Sequence, residues 1–139
     1  MVDLFIPSDR IDSYLEQDPS PSPILWLTPE NKLSLTPTQR PFLFVGSRAT
    51  ASSLATLTGH QITHILICAK FFKANFDGRF EYEQLALVDK ETQSLTEFVP
   101  RAVEFIDRCL EKNGRVLLHC SVGKSRSCAM AIAYLVSKF

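Results

Sequence analysis

The sequence predicts an α/β fold with a central, mostly parallel sheet flanked by helices. Three observations lead there. Short continuous apolar runs of strand length recur at 42–45, 64–68 and 116–118, separated by stretches with helical periodicity. The order strand–helix–strand over residues 42–68 suits a right-handed parallel crossover. The third run leads through small polar residues into an apolar helix, a strand–loop–helix unit over residues 115–136.

Composition sets the outer bounds. The 139 residues, 45% hydrophobic and 22% charged, are enough for one globular domain with a buried core. The formal net charge is zero, so there is no general electrostatic drive toward nucleic acid or an anionic membrane. Any affinity for an anion must be local. The apolar runs are too short to span a bilayer, and the first residues lack a basic stretch followed by an apolar one. Four scattered cysteines fit a reduced cytoplasmic, or nuclear, protein better than a disulfide scaffold. They show no Cys-x2-Cys spacing, so no zinc set is expected, nor any other metal or cofactor.

Residues 1–41 read as an N-terminal elaboration on a domain covering 42–139. Asp9 can cap a short helix with Ile11, Tyr14 and Leu15 on one face, and the Pro-Ser repeat at 18–23 then ends regular structure. Ile24–Leu27 and Leu33–Leu35 flank a turn and form a candidate hairpin. Phe42–Ser47 is a strand closed by a turn, Ala49–Leu57 a helix stopped near Gly59, and Thr63–Cys68 a second buried strand with His64 at its edge. Phe71–Arg79 is a loop turning at Asp77-Gly78, followed by a strand over Phe80–Val88. Ser94 and Glu97 make a capping box for a helix over Leu95–Lys112, with Pro100 tolerated in its first turn. Leu95, Phe98, Val99, Ala102, Phe105, Ile106, Cys109 and Leu110 give that helix its core face, Asp107 is solvated, and Gly114 serves the C-cap. Ala129–Val136 is apolar nearly all round and reads as a buried helix.

Chemistry concentrates between the last strand and the last helix, at His119-Cys120-Ser121-Val122-Gly123-Lys124-Ser125-Arg126-Ser127. A helix N-terminus offers unpaired N–H groups and about half a positive charge, which favours an anion. If the loop curls, the N–H groups of 121–126 converge into a nest sized for a phosphate or sulfate ion. Arg126 can add a bidentate fork to two of its oxygens. The same field acts on Cys120. A free thiol is only about 3% thiolate at pH 7, but helix N-termini and neighbouring cations can bring its pKa to roughly 3.5–7.5. A thiolate at the floor of an anion site points to nucleophilic displacement at phosphorus.

His119-Cys120-x5-Arg126-Ser127 resembles the signature of the cysteine-based protein tyrosine phosphatase superfamily. Ser125-Arg126-Ser127 with Ala133-Tyr134-Leu135 downstream is most similar to its dual-specificity branch. The resemblance implies a protein-tyrosine-phosphatase-like fold and metal-free hydrolysis of phosphomonoesters through a phosphocysteine. It assigns Cys120 as nucleophile, Asp89 as general acid and Arg126 as phosphate clamp. Ser127 would ease departure of the sulfur, and His119 would support the loop. It further implies phosphorylated protein substrates. Phosphoinositides are the runner-up, and a phospho-binding pseudophosphatase is the reading from another class. Some lipid phosphatases of the superfamily carry a cysteine placed like Cys68, which makes Cys68–Cys120 the expected redox pair. They also often carry basic residues in this loop, of which Lys124 is one. Family members usually continue beyond the Ala-Tyr-Leu helix with about two further helices. The expectation is therefore a domain cut short at its C-terminus, whose last helix self-associates or is covered by a partner.

Overall fold

The computed structural model describes residues 20–87, 95–120 and 125–139. Its sheet comprises β1 (Ser22–Leu27), β2 (Leu33–Ser34), β3 (Arg40–Gly46), β4 (His64–Ile67), β5 (Glu81–Gln84) and β6 (Val116–His119), in the order β2-β1-β3-β6-β4-β5. β3, β6, β4 and β5 run parallel, with Gly46, His119 and Ile67 in register at one edge. β1 is antiparallel to both β2 and β3. Residues 22–34 thus contribute two strands to the same sheet, turned at Asn31 in the left-handed region.

Alternate residues of the central strands feed two cores. On one face Leu43, Val45, Leu66, Val116 and Leu118 pack with Ala102, Phe105 and Ile106 of α3 (Val99–Glu111) and Met130, Ala131 and Tyr134 of α4 (Ser125–Lys138). On the other, Phe44, Ile65, Ile67 and Leu117 pack with Ala51 of α1 (Arg48–Ala51) and Leu57 of α2 (Leu54–Gly59). Being covered on both sides is why these strands read as unbroken apolar runs.

The structure revises several sequence expectations. The single helix over 49–57 is two, because Ser47 and Ser53 each cap a short one: their hydroxyls accept from Thr50 and Thr56 N–H. The strand over 80–88 shortens to Glu81–Gln84. Pro100 does sit in the first turn of α3, but Phe98 at its N-cap makes no side-chain bond, and Ser94 lies outside the described residues. At the other end Asn113, not Gly114, takes the left-handed position (φ 56°). The Asn113 and Gly114 N–H groups donate to the Leu110 and Cys109 carbonyls, a Schellman closure. Gly114 is needed for space, since a Cβ there would lie 2.3 Å from Thr63 Oγ1.

Asp107 is not merely solvated. It accepts from the Tyr134 hydroxyl at 2.8 Å and pairs with Lys138 at 2.9 Å, tying α3 to α4. His64 is buried, with Nε2 2.9 Å from Glu81. Nor is α4 buried all round: Ile132 and Val136 are exposed, and a groove of about 320 Å³ runs between β1 and α4, lined by Ile24, Val45, Ala131 and Leu135 among others.

Candidate active site

The site is built where β6 ends. His119 closes the strand, Cys120 follows with no exposed surface, and α4 starts at Ser125. The first turn of α4, the positive end of its helix dipole, therefore lies next to the end of β6, where an anion is favoured. Within that turn Ser127 is fully buried, and its Oγ lies 3.5 Å from Cys120 Sγ. Arg126 precedes it, half-buried, and Ser125 is the first helical residue. Structure thus brings together Cys120, Arg126, Ser127 and the backbone of Ser125. Asp89, Ser121, Val122, Gly123 and Lys124 lie outside the described residues.

His119 is buried on the opposite face of the sheet from Cys120. Its ring meets Phe72 edge-on at 6.4 Å, and Nδ1 lies 3.4 Å from the Cys120 carbonyl. A carbonyl only accepts, so Nδ1 carries the proton in this long hydrogen bond. Burial pushes the imidazole down to about 4, so it is neutral at physiological pH. It holds the backbone at Cys120 and does not titrate there.

Cys68 stands beside Cys120. The Cys68 N–H donates to the His119 carbonyl at 2.7 Å, one residue past the Ile67–His119 register pair. Burial drives its thiol far above the ordinary range, reinforced by Cys120 and opposed by the Arg126 charge. Both cysteines are free thiols. Among the described residues no group of three or more His, Cys, Asp or Glu side chains could hold a metal ion, and no helix is long and apolar enough to cross a membrane.

The sequence reading placed a loop after β4 but gave no role there to Gln84 or Phe72. Gln84 Nε2 donates to the carbonyls of Ala69 (2.8 Å), Lys70 (3.1 Å) and Phe72, and Phe72 supports His119. The turn's signal was the Phe71-Phe72 pair, too polar in its surroundings to register as anything but loop.

A strand that delivers a buried cysteine to the first turn of a helix bearing Arg126 and Ser127 can be compared with known domains. The model of the dual specificity phosphatase catalytic domain matches residues 43–139. The chain belongs to this family. Among curated dual-specificity relatives, Dual specificity protein phosphatase 1 of Arabidopsis thaliana is 40% identical over 69% of this chain and 48% of its own length. The human serine/threonine/tyrosine-interacting protein is 42% identical over 71% of this chain and 48% of its own. The chain thus spans about half the length of these relatives. The crystal structure of the human tyrosine phosphatase-like serine/threonine/tyrosine-interacting protein superposes with a TM-score of 0.66 at 40% identity, covering 71% of this chain and 70% of that one. The Yvh1 phosphatase domain of Chaetomium thermophilum gives 0.60 at 33% identity, over 70% and 62%. The chain thus shares its α/β fold, a central sheet flanked by helices, with these structures.

Proposed function

We propose that this domain hydrolyses phosphomonoesters of tyrosine, serine and threonine in proteins by way of a phosphocysteine. The observation that carries the reading is Cys120 at the end of β6 with Ser127 Oγ 3.5 Å from its sulfur. Cys120 thiolate attacks phosphorus in line, forming S–P as the ester P–O bond breaks, while the loop N–H groups and Arg126 hold the equatorial oxygens. Protonated Asp89 donates its proton to the leaving oxygen. As carboxylate it then takes a proton from the water that attacks phosphocysteine, and S–P breaks to release phosphate. Ser127 donates a hydrogen bond to the departing sulfur. Family membership supports turnover over mere binding. The second reading is a domain that captures phosphoproteins without releasing phosphate; relatives named only as serine/threonine/tyrosine-interacting keep it in view.

One experiment separates them. Phosphate release from a small aryl phosphate is expected for the wild type and is abolished in Cys120→Ser, which still binds phosphate. Asp89→Asn costs about 10²–10⁴-fold on a poor leaving group and far less on the activated aryl ester. Residual hydrolysis above a tenth of wild type in Cys120→Ser, or equal losses on both esters in Asp89→Asn, contradicts the assignment.

Protein substrates are favoured over phosphoinositides because Lys124 supplies one basic residue in the loop and Ser121 stands where a second would be. A cytoplasmic or nuclear setting keeps Cys68 and Cys120 reduced. There peroxide oxidises Cys120, and Cys68 closes a disulfide with loss of two waters overall. Neighbouring strands lie about 4.8 Å apart, inside the Cα range of a disulfide. Reversible inactivation by peroxide is expected, with a Cys68–Cys120 crosslink in the peptide map that Cys68→Ala abolishes.

A further inference from the structure

The turn after β4 stands at the same sheet edge as Cys120. Three of its carbonyls share the Gln84 amide, and the Lys70 N–H donates to the Leu87 carbonyl at 2.8 Å, so its backbone is pinned. Phe72 points inward onto His119, with the Arg48 guanidinium 5.9 Å over its ring. Phe71 is held outward, 80% exposed, with Lys70 Nζ 5.6 Å from its ring centroid. Lys73 is exposed as well. Between Cys68 and Arg79 the sequence has one acid, Asp77, against Lys70, Lys73 and Arg79. A neutral chain has gathered positive charge at this rim around its most exposed aromatic ring among the described residues.

We infer that Arg48, Lys70, Phe71 and Lys73 form a recognition rim for a polypeptide segment with acidic or further phosphorylated side chains near the phosphorylated one. This rests on the phosphatase reading above. Three residues from Cys68 span at most about 10 Å, and β4 lies about 5 Å from β6. Phe71 is therefore within about 15 Å of Cys120, the reach of some four extended residues. The ring offers the peptide a flat apolar face, and the ammonium and guanidinium groups pair with its carboxylates or phosphates. Pinning the turn lowers the ordering cost of that contact.

The test compares kcat/KM of wild type, Phe71→Ala and Lys70→Glu on three substrates: a small aryl phosphate, an acidic phosphopeptide, and the same peptide with its acids changed to alanine. Wild type prefers the acidic peptide by about tenfold, a preference that fades at high salt. Each variant loses about five- to tenfold on that peptide, mostly in KM, and stays within about twofold on the aryl phosphate. Equal loss on all three substrates, or unchanged peptide rates, overturns the rim. If wild type turns over none of them, the phosphatase reading fails and the rim is judged by binding. Labelled acidic phosphopeptide is then titrated onto Cys120→Ser with and without Lys70→Glu: weaker binding in the double variant supports the rim, and equal binding overturns it. Phe71-dependent attachment to phosphatidylserine vesicles with unchanged peptide rates also overturns it, assigning the ring to a membrane.

Discussion

At the scale of single residues, chemistry that lies close in sequence was legible and chemistry that depends on a distant partner was not. Cys120 follows β6, and Arg126 and Ser127 lie in the first turn of α4, so their closeness in sequence alone brings them together. Asp107 looked solvated because its partners, Tyr134 and Lys138, lie on another helix. The burial of His119 has a measurable consequence. The folded chain keeps its imidazole neutral down to about pH 4, while the unfolded chain protonates it near the ordinary 6.5. Stability contributed by neutral His119 is therefore complete above pH 6.5 and lost as pH falls toward 4, amounting to about 2 kcal/mol by pH 5. His64 is depressed too, by burial ahead of the opposing Glu81 charge, and contributes with the same sign. Urea melts at pH 7.5 and pH 5 should show a smaller acid-side loss in His119→Gln than in wild type. An unchanged loss would mean that His119 does not carry it.

Elements divide in the same way. β3, β4 and β6 were readable as apolar runs, and α3 from its periodicity. The break between α1 and α2 was not, because two serine caps a few residues apart leave the apolar spacing of a single helix intact. The C-terminus of α3 divides its work between two residues. Gly114, read as a C-cap residue, does close the helix through its N–H, but Asn113 takes the left-handed position and Gly114 also leaves room for Thr63. Gly114→Ala drives a methyl into Thr63 Oγ1 and Cys109 Sγ, so a loss of about 1–3 kcal/mol is expected. Asn113→Gly, by contrast, relieves a left-handed Asn and should be neutral or slightly stabilising. Thermal or urea unfolding of the two variants distinguishes these roles, and a harmless Gly114→Ala would refute the close-approach argument.

For the molecule as a whole, the apolar run of α4 read as a buried helix, yet the expectation of a last helix left for self-association or a partner already pointed to an uncovered face. Ile132 and Val136 stand 59% and 75% exposed beside the groove toward β1. An apolar surface of this kind promotes association. Sedimentation of this chain should therefore depend on concentration, and Ile132→Lys with Val136→Lys should shift it toward monomer. A wild type that stays monomeric across a hundredfold concentration range would contradict that.

The strand order carries a consequence for how the chain folds. β3 and β4 each pair with β6 and not with one another, so the sheet comprises two halves bridged by its last strand. During synthesis the β1–β3 and β4–β5 halves must wait, edges unpaired, until Val116–His119 has been made. Pairings this distant in sequence close slowly and leave strand edges open to misassembly in the interval. The strand that ends the wait is also the one that delivers Cys120 to the side of Cys68. No folding intermediate lacking β6 in the sheet can have Cys120 beside Cys68, so protection of the Cys120 thiol from alkylation on refolding should coincide with closure of the sheet.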